Sequence, residues 1–259
     1  MSFSLSAAGV RVVLLDIEGT TTPIDFVYGT LFPFARQRVQ RYLDAAASVD
    51  PEIEGAVDDL HKQHEQDAAT GQTPPGWLDQ PGDARIQSAV AYIHWLMDCD
   101  RKSRPLKLVQ GKIWEQGYRA GTLHGEVYPD VPFAFRRWSA HGARMGIYSS
   151  GSVLAQQLLF AHSTAGDLTP FLRWHFDTSV GAKMEAASYQ HIADTIPASP
   201  SAILFISDVV GELAAAAAAG LQTLLCVRPS EGHSARSEPS REAGSDRFAV
   251  IHTFDDVLA

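Results

Sequence analysis

The chain has 259 residues, enough to bury a sizeable core as one large domain or as a core with a smaller one inserted, which excludes peptide hormones and disulfide-stapled mini-folds. Apolar residues make up 45% and charged residues 20%, the balance of an ordinary globular protein and not of a disordered or fibrous one. Its 21 Lys and Arg stand against 30 Asp and Glu, and the net charge of -9 opposes any surface-wide attraction to nucleic acid or anionic lipid, so an anionic substrate would need local cations or a metal to offset that field.

The opening MSFSLSAAG lacks the basic start and long apolar core of a secretory signal, and no apolar run reaches the length of a membrane span, so the protein is expected in the cytoplasm. The two cysteines, Cys99 and Cys226, are far apart and show no CxxC spacing. That fits a reducing compartment, excludes a cysteine-based zinc site and predicts two buried thiols.

The first apolar run, Val10 to Leu15, predicts a strand that ends in Asp16, followed by Ile17, Glu18, Gly19 and three threonines. Alternation puts Asp16 and Glu18 on one side, and Gly19 permits a tight turn beside a ligand. Two carboxylates so spaced suit a division of labour, one as nucleophile or metal ligand and the other as acid and base. A strand-end turn with solvated acids satisfies the same pattern.

From there to the second strand the chain reads as helices: Phe34 to Ala47, Glu52 to Ala69, Ala84 to Lys102 and Leu106 to Ala120, the middle two joined by the turn-rich Gly71 to Asp83. Ile86, Val90, Ile93 and Met97 recur at helical spacing, as do Leu106, Val109, Ile113 and Trp114, so each helix has a face to bury and the four predict a small bundle. Residues 24–125 are therefore expected as a helical insert in an α/β core made of residues 1–23 and 126–259. His61 and His64, in HKQHE, fail the spacings of zinc-protease motifs and are expected as solvated helix-face residues. Trp77, Trp95 and Trp114 are expected to pack and not to stack on bases.

The second strong strand is Arg144 to Tyr148, followed by Ser149, Ser150, Gly151, Ser152 and a helix from Val153 to His162. Hydroxyls and free amides at a helix start form an anion site, and the same groups serve plain capping. Trp174 to Phe176 is a weaker strand. Lys183 follows Gly181 in a segment that reads as a helix to Ile196; a cation in a first helical turn opposes the helix dipole and needs an anionic neighbour, which Glu185 could supply. Ala202 to Ile206 predicts the next strand and leads to Asp208, either a metal ligand or an N-cap, with Glu212 four residues on. The alanine run from Ala214 to Ala219 is helix former stopped by Gly220. Thr223 to Val227 is a further strand, Pro229 to Arg247 a polar surface loop, and Phe248 to Ile251 a weak last strand.

Apolar strands alternating with helices predict an α/β fold with a parallel sheet, whose ligand site forms at the carboxyl ends of the strands. An Asp after the first strand, hydroxyls after a middle strand, a Lys, then an Asp after a late strand is the set that phosphoryl transfer through an aspartyl-phosphate requires.

Those segments, DIEGTT, YSSGS, GAKMEAASY and SDVVGEL, resemble the four motifs of the haloacid dehalogenase superfamily. More narrowly they resemble its enolase-phosphatase branch of methionine salvage, in which a Glu stands two residues after the nucleophile where most relatives carry Asp. The likeness extends to DIEGTTTPIDFVYGTLFPFA and to Asp100 to Pro132, and weakens in the loop from Pro229 to Arg247. It implies a Rossmann-like parallel sheet core with an inserted all-helical cap, and a bifunctional enolase-phosphatase acting on 2,3-diketo-5-methylthiopentyl-1-phosphate. By the same resemblance Asp16 is the nucleophile and a metal ligand; Glu18 is acid and base, its carbonyl completing the metal site. Ser149 and Ser150 hold phosphate oxygens, Lys183 neutralises phosphate and nucleophile, Asp208 binds the one Mg2+ per chain, and Glu212 is an outer partner. The expected partner is a small phosphorylated molecule, bound by a monomer that engages neither nucleic acid nor membrane. A receiver-type signalling module shares the Asp, hydroxyl and Lys but is small and lacks so large an insert. A phosphatase for a different small metabolite would carry the same four segments, and the cap sequence favours the enolase branch over it. Against a scaffold that binds without turnover stand Asp16, Glu18, Lys183 and Asp208, all present.

Overall fold

The computed structural model describes residues 2–78, 80, 82–229 and 247–259. The chain divides into two compact units, Met1–Val27 with His124–Ala259, and Tyr28–Leu123, the junctions lying a few residues inside those expected. The first unit begins with β1 (Phe3–Ser4), β2 (Val12–Leu15) and the single turn α1 (Ile24–Phe26). A π-helical turn over Val27–Leu31 carries the chain across the junction. The second unit contains α2 (Phe32–Ala46), α3 (Pro51–Ala69), α4 (Asp83–Asp98) and α5 (Arg104–Arg119). The chain then returns through α6 (Val131–Ala140), β3 (Arg144–Tyr148), α7 (Val153–Ala161), β4 (Leu172–Phe176), α8 (Ala186–Thr195), β5 (Ile203–Ser207), α9 (Val210–Ala218), β6 (Gln222–Cys226), β7 (Val250–Ile251) and β8 (Val257–Leu258).

Six of these strands form one parallel sheet in the order β4-β3-β2-β5-β6-β7. β2 lies inside it, Leu15 opposite Ile147 on one side and Ile206 on the other, and all four of its residues are fully buried, which is why it reads as an unbroken apolar run. Val12 and Leu14 share a core with Tyr189 and Ile192 of α8 and with Leu213 and Ala216 of α9. α6 packs on β3 and α7 on β4. Successive strands run outward from β2 to one edge, then from β5 to the other, so the strand order reverses beside β2. In open α/β sheets a reversal of this kind marks where ligands bind, at the carboxyl ends of the strands.

In the helical unit α2 and α3 each pack on α4 and α5, burying Leu43, Ile53, Leu60, Ile93 and Ile113. Local chemistry sets the ends: Asp50 caps α3 by accepting the Glu52 N–H at 2.9 Å, Pro51 follows it, and Glu52 and Glu54 complement the dipole of the first turn. Buried Asp67 accepts the Tyr92 hydroxyl at 2.6 Å and an Arg101 N–H at 3.0 Å, binding α3 to α4 and the chain after it. No helix among the described residues is long and apolar enough to cross a membrane.

Several expectations are corrected. Cys226 is buried but Cys99 is exposed, because it follows the last turn of α4 instead of lying on its apolar face. His61 and His64 are not simply solvated: His61 stacks on Trp77 with centroids 4.7 Å apart, and His64 Nε2 donates to the Pro75 carbonyl at 2.7 Å. The pairing of β1 with β8 is not announced by the sequence, since two residues carry no periodicity. Of the loop expected from Pro229 to Arg247, residues 230–246 lie outside the described residues.

Candidate active site

Asp16 directly follows β2, and its N–H donates to the Ile206 carbonyl at 3.0 Å, extending the ladder by one residue and fixing the side chain between two strand ends. The carboxylate is almost fully buried. Its Oδ1 accepts from the Ile17 N–H at 2.7 Å and lies 2.7 Å from Lys183 Nζ. Lys183 Nζ is also 2.7 Å from Glu212 Oε2, so one ammonium bridges two buried acids. Burial alone would push the Lys183 amine down; the charges of Asp16 and Glu212 overcome it and hold the group up at about 12.

Lys183 is brought here by a turn, not by a helix. It precedes α8 by three residues and points to Asp16 and Glu212, so the expected conflict with a helix dipole and the pairing with Glu185 do not arise. Its turn is held by side chains below: Tyr148 Oη donates to the Gly181 carbonyl at 3.0 Å, Ser188 Oγ to Ala182 at 2.7 Å and Tyr189 Oη to Lys183 itself at 2.9 Å. Gly181 adopts φ 137°, and a Cβ there would come within 2.2 Å of Ser188 Oγ.

Asp208 is not an N-cap. Val209 holds that position, and its N–H donates to Ser207 Oγ at 3.1 Å. Burial, then the charge of Asp16, push the Asp208 carboxyl up to about 8, and its Oδ1 is buried without a hydrogen-bond partner. Its Oδ2 lies where a Cβ of residue 19 would be, 2.3 Å away, and Gly19 itself has φ 70°. We expect Gly19→Ala to be strained twice over, with a melting temperature several degrees below wild type in a thermal scan. An unchanged transition would contradict this packing.

Glu212, expected only as an outer partner, is a member of the cluster. Burial and then Asp16 push it up to about 7, against the pull of Lys183. Ser207, which no motif singled out, stands between the acids: its Oγ lies 2.9 Å from Glu212 Oε2 and 3.3 Å from Asp16 Oδ2, one hydroxyl proton between two carboxyl groups. A signal for both was available, since Ser207 ends the strand and Glu212 lies one helical turn beyond Asp208.

Glu18 sits in the turn after Asp16, where Gly19 N–H closes onto the Thr22 carbonyl at 2.9 Å. Ser149 is buried after β3, its N–H on the Phe176 carbonyl at 3.2 Å and its Oγ accepting from Gly151 at 3.2 Å; Ser150 is half-buried beside it. Ser152 takes the capping role at α7, accepting the Ala155 N–H at 3.3 Å, which leaves Ser149 and Ser150 free of that duty. Strand register places them at the same end of the sheet as Asp16.

Lys183 thus pairs with Asp16 and Glu212, and Asp208 stands as a third buried acid beside them, outside that ion pair. The orphaned Asp208 Oδ1 and oxygen-only donors suit a hard cation such as Mg2+, which needs one or two carboxylates and takes its other ligands from phosphate and water. Among the described residues no three His, Cys, Asp or Glu side chains cluster to hold a metal by themselves.

The family model for haloacid dehalogenase-like hydrolases matches residues 10–220. An enolase-phosphatase E1 of Synechococcus elongatus is 48% identical over 248 residues, 96% of this chain and 98% of its own length. The chain belongs to the enolase-phosphatase E1 family of haloacid dehalogenase-like hydrolases. Another enolase-phosphatase E1, from Drosophila persimilis, is 46% identical over 246 residues, 94% of this chain and 95% of its own. Among solved structures the UTR4 protein of Saccharomyces cerevisiae superposes with a TM-score of 0.71 at 30% identity, covering 95% of this chain and 99% of that one. CbbY from Rhodobacter sphaeroides, at a TM-score of 0.51 and 15% identity, shares the fold. Membership in the enolase-phosphatase E1 family makes the chain an enzyme, a hydrolase of a phosphorylated small molecule.

Proposed function

We propose that Asp16, Glu18, Ser149, Ser150, Lys183 and Asp208 carry out the two steps of an enolase-phosphatase of methionine salvage. The substrate is 2,3-diketo-5-methylthiopentyl-1-phosphate, which is enolised and then dephosphorylated to the acireductone and inorganic phosphate. A carboxylate oxygen of Asp16 attacks phosphorus, and the bond from phosphorus to the substrate oxygen breaks as Glu18 protonates that oxygen. Glu18, now ionised, takes a proton from water, which attacks phosphorus and breaks the bond to Asp16, returning the carboxylate and releasing phosphate. Ser149, Ser150 and the amides after β3 hold the phosphate oxygens.

The observation that carries this reading is the Lys183 ammonium, 2.7 Å from both Asp16 and Glu212. It sets a positive charge against the nucleophile in a buried site, and of its three donors two meet carboxylates while the third can meet phosphate. Asp16, Asp208 and the Glu18 carbonyl would hold one Mg2+, which when bound supplies charge neutralisation for phosphate and polarisation of the diketone. The core unit carries the chemistry and the helical unit serves as the cap. One chain supplies all these groups, which supports a monomer as the working unit, and the pathway's small metabolites support the cytoplasm as its compartment.

The test is to mix purified protein, Mg2+ and the diketophosphate and to follow enol formation by ultraviolet absorbance beside phosphate release. A transient enol followed by phosphate is expected; phosphate without the enol removes the enolase half, and neither removes the assignment. Independently of turnover, Mg2+ in about hundredfold excess over its dissociation constant should stabilise the fold by about 2.7 kcal/mol in a thermal scan. Asp208→Asn should lose that shift, and a shift of full size in the variant would place the ion elsewhere.

A further inference from the structure

Among the described residues outside the catalytic cluster, a buried cation with closely directed hydrogen bonding is Arg228, two residues after β6. Its Nε and Nη2 both donate to the Thr20 carbonyl, at 2.9 and 2.7 Å, and its Nη1 donates to Asp130 Oδ2 at 2.7 Å. The rings of Tyr128 and Phe254 flank the guanidinium at 4.2 and 4.6 Å. Asp130 Oδ2 also accepts the Phe254 N–H, so the anchor is fastened at once to the residue before α6 and to the turn near β8.

What Arg228 grips is the turn that follows the nucleophile. The N–H groups of Thr20, Thr21 and Thr22 converge on the Ile17 carbonyl at 3.2, 2.9 and 2.8 Å, Thr21 Oγ1 donates to the Asp16 carbonyl at 3.1 Å, and Tyr128 N–H donates to the Thr21 carbonyl at 3.0 Å. Glu18 and Gly19 form the bend of this knot. Burying a guanidinium costs several kcal/mol, and a packed apolar side chain would serve the fold as well or better. An apolar side chain cannot hold a carbonyl. One edge of the Arg228 guanidinium holds this one with two donors and so fixes the orientation of the peptide two residues beyond Glu18.

We propose that Arg228 is a positioning residue for the acid–base step: through the Thr20 carbonyl it sets the bend that aims Glu18 at the reacting oxygen. The inference rests on the role given to Glu18 above. A misplacement of about 1 Å can cost about 10²-fold in rate, and a loosened bend supplies such a misplacement.

The experiment compares Arg228→Met, Arg228→Lys and Glu18→Gln on the diketophosphate and on 4-nitrophenyl phosphate, whose leaving group needs no proton. Arg228→Met should lower kcat on the diketophosphate by about 10²-fold with little change in KM. On 4-nitrophenyl phosphate it should still release the first equivalent of nitrophenolate rapidly, then turn over slowly, because water activation by Glu18 is impaired. Arg228→Lys, keeping one donor, should recover part of kcat, and it carries the test if Arg228→Met does not fold. Equal losses on both substrates in the first turnover, or an unchanged kcat per folded molecule, overturn the proposal. Glu18→Gln separates the two readings. A burst there but not in the Arg228 variants rejects only the positioning role; no burst there rejects the role of Glu18 and the inference with it.

Discussion

Asp16→Asn is expected to lower phosphate release by a factor on the order of 10⁴ to 10⁶, the scale on which removal of a nucleophile costs an enzyme. The fold should not suffer. Asn can still accept the Ile17 N–H, Lys183 keeps Glu212 at 2.7 Å, and Asp208 and Glu212, both pushed up by burial and then by the charge at position 16, are relieved of the second cause in the variant. The melting temperature is therefore expected to equal or exceed that of the wild type, as happens when a site strained by like charges is relieved. Phosphate assays and a thermal scan on the same preparation check both halves. Turnover near wild type would remove Asp16 from the mechanism, and a large destabilisation would show that its role is architectural.

Lys183→Met has the opposite signature, losing stability and activity together. The side chains of Lys183, Asp16 and Glu212 are each about nine-tenths buried, and deleting the ammonium leaves two carboxyl groups facing each other without a cation. Breaking a buried pair in this way typically costs about 3–5 kcal/mol. In a chain of this size that lowers the melting temperature by roughly ten degrees. Phosphate release should fall at the same time, since the nucleophile loses the ammonium paired with it at 2.7 Å and the phosphate loses its cation. Denaturant titration beside steady-state kinetics tests the pair of effects. If stability stays intact, the acids are not held as the geometry describes.

The sequence made the sheet legible because buried parallel strands are written as short apolar runs: Arg144 to Tyr148 is read to the residue, and the others shift by one or two. Asp16 and Asp208 were legible for the same reason, each lying just beyond such a run. Lys183 was legible as a position but not as an environment. A helix was expected to start too early because GAKMEAASY is rich in helix formers, whereas Tyr148, Ser188 and Tyr189 capture its carbonyls and hold it as a turn. The partners of Ser207 and Arg228 were invisible for a different reason: each lies about 190 or more residues away, Asp16 and Thr20, and local pattern carries no trace of such contacts. Cys99 shows the limit of composition, since burial depends on which side of a helix end a residue leaves the chain.

The insertion of a helical unit between β2 and its neighbours orders events on the ribosome. Val12 must wait for Arg144, and then for Ile203, before either of its edges is covered, while the contacts within Tyr28–Leu123 are shorter in range. At about 5–20 residues per second, the strand that bears the nucleophile spends several seconds as an uncapped apolar ribbon while the inserted helices fold. That interval is when a nascent chain is most exposed to aggregation, and it makes the four residues VVLL a natural point of engagement for chaperones.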